Sequence, residues 1–255
     1  MLLQQTLNNL KTLRLHGMAQ ALEEQRTSST LQELCFDERF EFMVTAEIND
    51  RENRRLTRLL KAAKFKVSAC PEDINYKAHR GLDRQVMANL SSCDWINKSL
   101  NTIITGPTGL GKTWIACALG QQAARKGYSV LYKRLSRLLE ELEIAYGDGS
   151  LVKERAKIAK TDLLILDDWA LAPLTTRGRH ELLELIDDRI GSGSILITSQ
   201  LPIDQWHDYI GEPTIADAIL DRLVHRAHRI ELRGDSLRKG EGLSLERPVR
   251  RLADD

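Results

Sequence analysis

The chain has 255 residues, 42% of them hydrophobic and 29% charged, a balance that suits a folded soluble protein and excludes long disordered tracts. Thirty-seven basic residues against 36 acidic ones leave a formal net charge of +1, so no global field draws the molecule to nucleic acid or membrane, and any such contact must rest on a local patch. Cys35, Cys70, Cys93 and Cys117 form no C-x-x-C pair, the start Met1-Leu2-Leu3-Gln4-Gln5 lacks a signal-peptide pattern, and no apolar run has bilayer length, so reduced thiols, a cytoplasmic location and no membrane partner are expected.

Leu3, Leu7, Leu10 and Leu13 recur at helical spacing and predict an amphipathic helix over 2–22, which the polar stretch Thr27-Ser28-Ser29-Thr30 ends. A second helix is expected from Asp37, placed to cap it, to Lys66. Residues 1–66 therefore read as a small helical domain, and 67–94 as a connector. Within residues 51–66 of that helix Arg51, Arg54, Arg55, Arg58, Lys61, Lys64 and Lys66 stand against the single acid Glu52. Positions 51, 54, 55 and 58 share a face opposite Leu56, Leu59 and Leu60, as a contact to the phosphate backbone of duplex DNA without sequence preference requires; the alternative is a solvated helix face.

The period then changes. Runs at 101–105, 129–132, 163–166 and 194–198 are short and apolar or β-branched, and helical segments separate them. This alternation predicts an α/β core with a buried parallel sheet over 95–235, followed by a basic tail at 236–255.

Gly106-Pro107-Thr108-Gly109-Leu110-Gly111-Lys112-Thr113 fits the Walker A pattern G-x-x-x-x-G-K-[ST] and lies between a strand and a helix, the context that the pattern needs. Glycines there let backbone N–H groups turn toward phosphates; the lysine reaches the outer phosphates, and the threonine hydroxyl suits magnesium. ATP and Mg2+ are the expected ligands. Leu163-Leu164-Ile165-Leu166-Asp167-Asp168 is an apolar strand ending in two carboxylates, a Walker B pattern. Strand ends of a parallel sheet share one edge, which would set Asp167 at the metal and Asp168 at the attacking water. A fourth strand runs into Ser199-Gln200-Leu201-Pro202, where Gln200, or failing it Ser199, is placed to sense the terminal phosphate. A GTPase would need N-K-x-D for its base, which Asn97-Lys98-Ser99-Leu100 breaks, and no acceptor site of a kinase is recognisable.

With these residues in place, the chain resembles the AAA+ ATPases of the helicase-loader group, and most closely the IstB-like ATP-binding transposition helpers of bacterial insertion sequences. Besides the two Walker segments, the resemblance is carried by Ile197 to Pro202 with Trp206, by Ile215 to Arg226, by Gly234-Asp235-Ser236-Leu237-Arg238 and by Arg51 to Leu56. It implies an ATPase that assembles as a homo-oligomer on duplex DNA and presents it to a transposase; the alternative within the same group is a replicative helicase loader. It also implies a trans arginine finger, matched by Arg226 with Arg222 as second choice. Two departures stand out: the second Walker B acid is Asp168 rather than glutamate, and little chain follows the core, which leaves open whether Arg238 touches nucleotide.

Overall fold

The computed structural model describes residues 2–76 and 80–237, and the chain divides into two units, Met1–Lys61 and Ala62–Asp255. In the first unit the helices are α1 (Leu2–Thr12), α2 (His16–Thr27), α3 (Ser29–Gln32) and α4 (Phe36–Ala63), the last of which runs on into the second unit. The first expected helix is thus two, because Arg14 takes a left-handed conformation (φ 61°) that ends α1 and starts a new direction. Ser28 caps α3 by accepting the Leu31 N–H at 3.4 Å, and Glu38 reaches back to accept the Cys35 N–H at 2.9 Å, which fixes the start of α4 one residue earlier than Asp37. Glu47 of α4 is buried and accepts the N–H groups of Gly17 at 2.8 Å and Met18 at 3.3 Å. A carboxylate on the orphan donors of α2 ties the two helices together and complements the helix dipole.

The second unit carries, in order, α5 (Arg84–Ser91), α6 (Asp94–Asn97), β1 (Asn101–Thr105), α7 (Lys112–Arg125), β2 (Val130–Arg134), α8 (Leu135–Gly147), α9 (Leu151–Ala159), β3 (Leu163–Trp169), α10 (Thr176–Asp187), β4 (Ser194–Ser199), α11 (Trp206–Ile210), α12 (Pro213–Val224) and β5 (Ala227–Glu231). The stretch expected to be a mere connector therefore holds α5, whose N-terminus Asp83 caps by accepting from Gln85 and Val86. All strands are parallel, in the order β2-β3-β4-β1-β5. The fold is α/β, a parallel sheet flanked by helices. Every position of β4 and all of Leu163–Asp167 are buried, as strands covered on both faces must be. The fifth strand escapes the sequence pattern because it is an edge: in Ala227-His228-Arg229-Ile230-Glu231 only Ile230 is buried.

The topology matters for chemistry because parallel strands bring their carboxyl ends to one edge. There β1 leads into residues 106–111, β3 ends in Asp167 and Asp168, and β4 ends in Ser199 and Gln200. Trp169 and Trp206 stack tilted at 4.8 Å between ring centroids, and the Trp206 indole donates to the Leu201 carbonyl at 3.0 Å, which anchors the loop beyond β4. Among the described residues no helix is long and apolar enough to cross a membrane.

Candidate nucleotide site

The Walker A segment turns from Thr105 into α7. Gly106 has φ 141°, and a Cβ there would stand 2.3 Å from the carbonyl oxygen of Leu232, so only glycine lets the two backbones come this close. The first turn of α7 aims its unpaired N–H groups across the loop. Lys112 folds over that loop, donating to the carbonyls of Gly106 at 2.6 Å and Pro107 at 2.8 Å. Burial pulls its pKa down, while the charges of Asp168 and Asp167 act in the opposite direction. Two groups outside the motif brace the loop from behind. Arg80, itself buried, donates to the Leu110 carbonyl at 2.9 Å, and the Leu237 N–H donates to the Gly109 carbonyl at 3.0 Å.

Asp167 is fully buried and wrapped in hydroxyls. Its Oδ1 accepts from Thr113 at 2.8 Å and from Thr198 at 2.5 Å, and its Oδ2 accepts from Tyr132 at 2.5 Å. Each donor offsets part of the cost of holding an anion away from water. Asp168 behaves differently. The ladder between β3 and β4 slips between Leu166 and Trp169, and Asp168 takes a left-handed φ of 60°. Such a bulge re-aims a side chain, at a backbone cost of about 1 kcal/mol that aspartate tolerates better than most residues. Its N–H donates to the Thr198 hydroxyl at 3.2 Å, and its carboxylate lies 3.4 Å from Arg134 Nε. Tyr132 and Arg134, both from β2, belong to no motif, and only the three-dimensional pairing of β2 with β3 reveals them.

Gln200 accepts the Thr108 hydroxyl at 2.7 Å, which places it against the Walker A loop. Ser199 is buried and faces away, donating to the Trp169 carbonyl at 3.2 Å and accepting the Leu201 N–H at 3.0 Å. One cleft of about 330 Å³ gathers Thr108, Lys112, Thr113, Asp168 and Gln200, with Lys66 and Leu237 on its walls. A second cavity of about 200 Å³ opens on the other side of Asp168 between Leu135, Leu139, Leu174 and Tyr209. It has no Walker A group, so the first cleft is the one shaped for phosphates. Magnesium prefers hard oxygens, few of them from protein, and the adjoining Thr113 hydroxyl and Asp167 carboxylate fit that preference.

The remaining expected site residues lie elsewhere. Arg222 and Arg226 flank the amino end of β5, the sheet edge opposite the Walker A loop, since Asn101 pairs with Ala227 there. Arg222 is ion-paired with Asp187 and donates to the Ala218 carbonyl at 2.8 Å, whereas Arg226 is exposed. In the first unit Arg51 pairs with Glu47 at 2.7 Å and Arg54 with Asp50 at 2.7 Å. Each acid lies one turn before its own arginine, outside residues 51–66 that define the sequence pattern. Arg55, Arg58, Lys61 and Lys64 are exposed, with Lys64 left-handed (φ 54°) just past the end of α4. Arg238 and nearly all of the tail at 236–255 fall outside the described residues.

Comparison with known proteins places this geometry in context. The profile of the family described as IstB-like ATP binding protein matches residues 8–244. Over 241 residues the chain is 46% identical to an insertion sequence ATP-binding protein of Sinorhizobium fredii, covering 94% of this chain and 98% of that one. It is 54% identical over 203 residues to the insertion sequence IS1162 ATP-binding protein of Pseudomonas fluorescens, covering 79% and 88%. Among solved structures, DnaI superposes with a TM-score of 0.54 at 20% identity, over 70% of this chain and 92% of that one. AMPPCP-bound DnaA from Aquifex aeolicus gives 0.56 at 17% identity, over 70% and 56%. At these identities the two likenesses concern the fold alone, a parallel sheet flanked by helices.

Proposed function

Since the chain belongs to the IstB-like ATP binding protein family, we propose that it is an ATPase that assembles on duplex DNA and there recruits or activates the transposase of an insertion sequence. The observation that carries the ATPase reading is the meeting of Lys112, Thr113, Asp168 and Gln200 in one cleft, with Asp167 behind Thr113. Lys112 binds the outer phosphates, and the loop N–H groups hold the inner ones. Magnesium, when bound, neutralises charge on the phosphate oxygens, and Thr113 and Asp167 are the residues that would hold it. Asp168, turned out of the strand and steadied by Arg134, orients the attacking water and takes its proton. Gln200, steadied by Thr108, lies by the terminal phosphate; Ser199 shapes the strand end rather than touching nucleotide.

The homo-oligomer reading rests on distance. Arg226 lies a whole strand away from its own Walker A loop, about 16 Å for five residues, so it reaches a nucleotide only in a neighbouring subunit. Its exposure favours it over Arg222, which Asp187 already holds. Exposed cations on α4 support duplex DNA as the surface of assembly. A helicase loader is the second reading, supported by a fold likeness to the DnaC helicase loader; the insertion-sequence relatives at 46% and 54% identity favour the first.

Fluorescence anisotropy of labelled duplexes tests the reading. Tight binding to unrelated sequences with a non-hydrolysable ATP analogue, lost in Lys112→Ala, is expected. Binding indifferent to nucleotide would overturn it.

A further inference from the structure

Lys66 closes the basic run of the sequence, yet its side chain faces the nucleotide cleft. The segment that carries it is pinned to α7 at two points. The ring of Phe65 lies so close to Gly120 that a Cβ there would approach it to 2.6 Å, and the backbone N–H groups of Lys66 and Val67 are directed at the buried sulfur of Cys117. The ammonium of Lys66 then sits 3.9 Å from Oδ2 of Asp167, with the side chain 37% exposed. That distance is a contact between charges, not a hydrogen bond, so the Asp167 contact itself uses none of the three ammonium donors. Lys66 and Lys112 line the same cleft from different elements.

We propose that Lys66 is a second phosphate-binding lysine, aimed at the terminal phosphate of a nucleoside triphosphate, and that it makes the cleft prefer triphosphate to diphosphate. The inference rests on the reading of this cleft as an ATP site. Its location decides which phosphate is meant. A Walker A loop cradles the inner phosphates, whereas the carboxylates at the end of the Walker B strand face the terminal one. Lys66 stands 3.9 Å from Asp167, one of those carboxylates. Asp167 and Asp168 would repel the most anionic end of the ligand, and an ammonium between carboxylate and cleft offsets that repulsion. A triphosphate gains from this and a diphosphate does not.

Calorimetric titration with β,γ-imido-ATP and with ADP, both in magnesium, tests the proposal on wild type, Lys66→Met and Lys66→Arg. Lys66→Met should bind the imido analogue about tenfold more weakly and ADP within about twofold of wild type, a size typical of one charge-assisted contact. Lys66→Arg, which keeps the charge and the fold, should recover most of the loss. Equal weakening for both nucleotides, or none for either, overturns the role of Lys66 while leaving the ATP site intact. Failure of wild type to bind either nucleotide overturns the site itself, and the inference with it.

Discussion

The hydroxyl of Tyr132 donates to Oδ2 of Asp167 at 2.5 Å, across two neighbouring strands and 35 residues of chain. It therefore holds the one oxygen of the carboxylate that Thr113 and Thr198 leave aside. Burial, reinforced by the hydrogen bond and charge of Asp167, pushes the phenol pKa well up, so Tyr132 stays a donor through the neutral and alkaline range.

Tyr132→Phe keeps the ring and removes only that donor. The unpaired carboxylate oxygen should cost about 1–3 kcal/mol, visible as a lower melting temperature. Because the same oxygen helps to set the direction of Asp167, the magnesium concentration for half-maximal turnover should rise several-fold. A magnesium titration of ATP turnover beside a thermal melt checks both, and an unchanged magnesium requirement would confine Tyr132 to stability.

Asp168→Asn preserves shape and the contact region of Arg134 while removing the base. Nucleotide affinity should stay within about twofold, and turnover should fall by about a hundredfold or more. Fluorescent-nucleotide binding and single-turnover hydrolysis separate the two quantities. A matching loss of affinity would place Asp168 in the magnesium shell.

The cations of α4 should not contribute equally to DNA binding. Arg51 and Arg54 have acids within 2.7 Å, so a phosphate must compete with Glu47 and Asp50 for them. Replacing Arg58 and Lys61 with Ala should reduce the slope of log K against log salt by about 0.9 for each phosphate no longer neutralised, alike for unrelated duplexes. Replacing Arg51 should change that slope less and lower the melting temperature of the helical unit, since the buried Glu47 then loses its 2.7 Å ion pair. Anisotropy across a salt series reads the slope, and a slope unmoved by Arg58 and Lys61 returns this face to solvent.

What could be read from the sequence were groups adjacent in the chain. The Walker A loop and the Asp167-Asp168 pair are each contiguous, the first after the β-branched strand Asn101–Thr105 and the second after the apolar run Leu163–Leu166, so pattern and chemistry coincide. Groups joined only by folding were not legible. Arg80 reaches Leu110 from the supposed connector, Tyr132 and Arg134 enter through the pairing of β2 with β3, and Lys66 turns inward from a run of exposed cations. The left-handed backbone of Asp168 likewise depends on a slip in the ladder with β4, which no local pattern encodes. The fifth strand was hidden for the opposite reason, since an edge strand with one buried residue has no apolar alternation to detect.

If Arg226 acts across an interface, two inactive proteins should rescue each other. Arg226→Ala keeps its Walker A loop and Lys112→Ala keeps its arginine, so mixed assemblies contain intact sites. An arginine finger is worth on the order of a thousandfold in rate, so the recovered activity should stand clear of background. No rescue in a mixture shown by light scattering to co-assemble would transfer the role to Arg222.

The central claim, an ATPase that works as an assembly on DNA, is met most directly by phosphate release measured against protein concentration, with and without duplex DNA. The rate per subunit should rise steeply with concentration, rise further on duplexes of any sequence, and vanish in Lys112→Ala. Turnover per subunit that is constant with concentration and blind to DNA would contradict it.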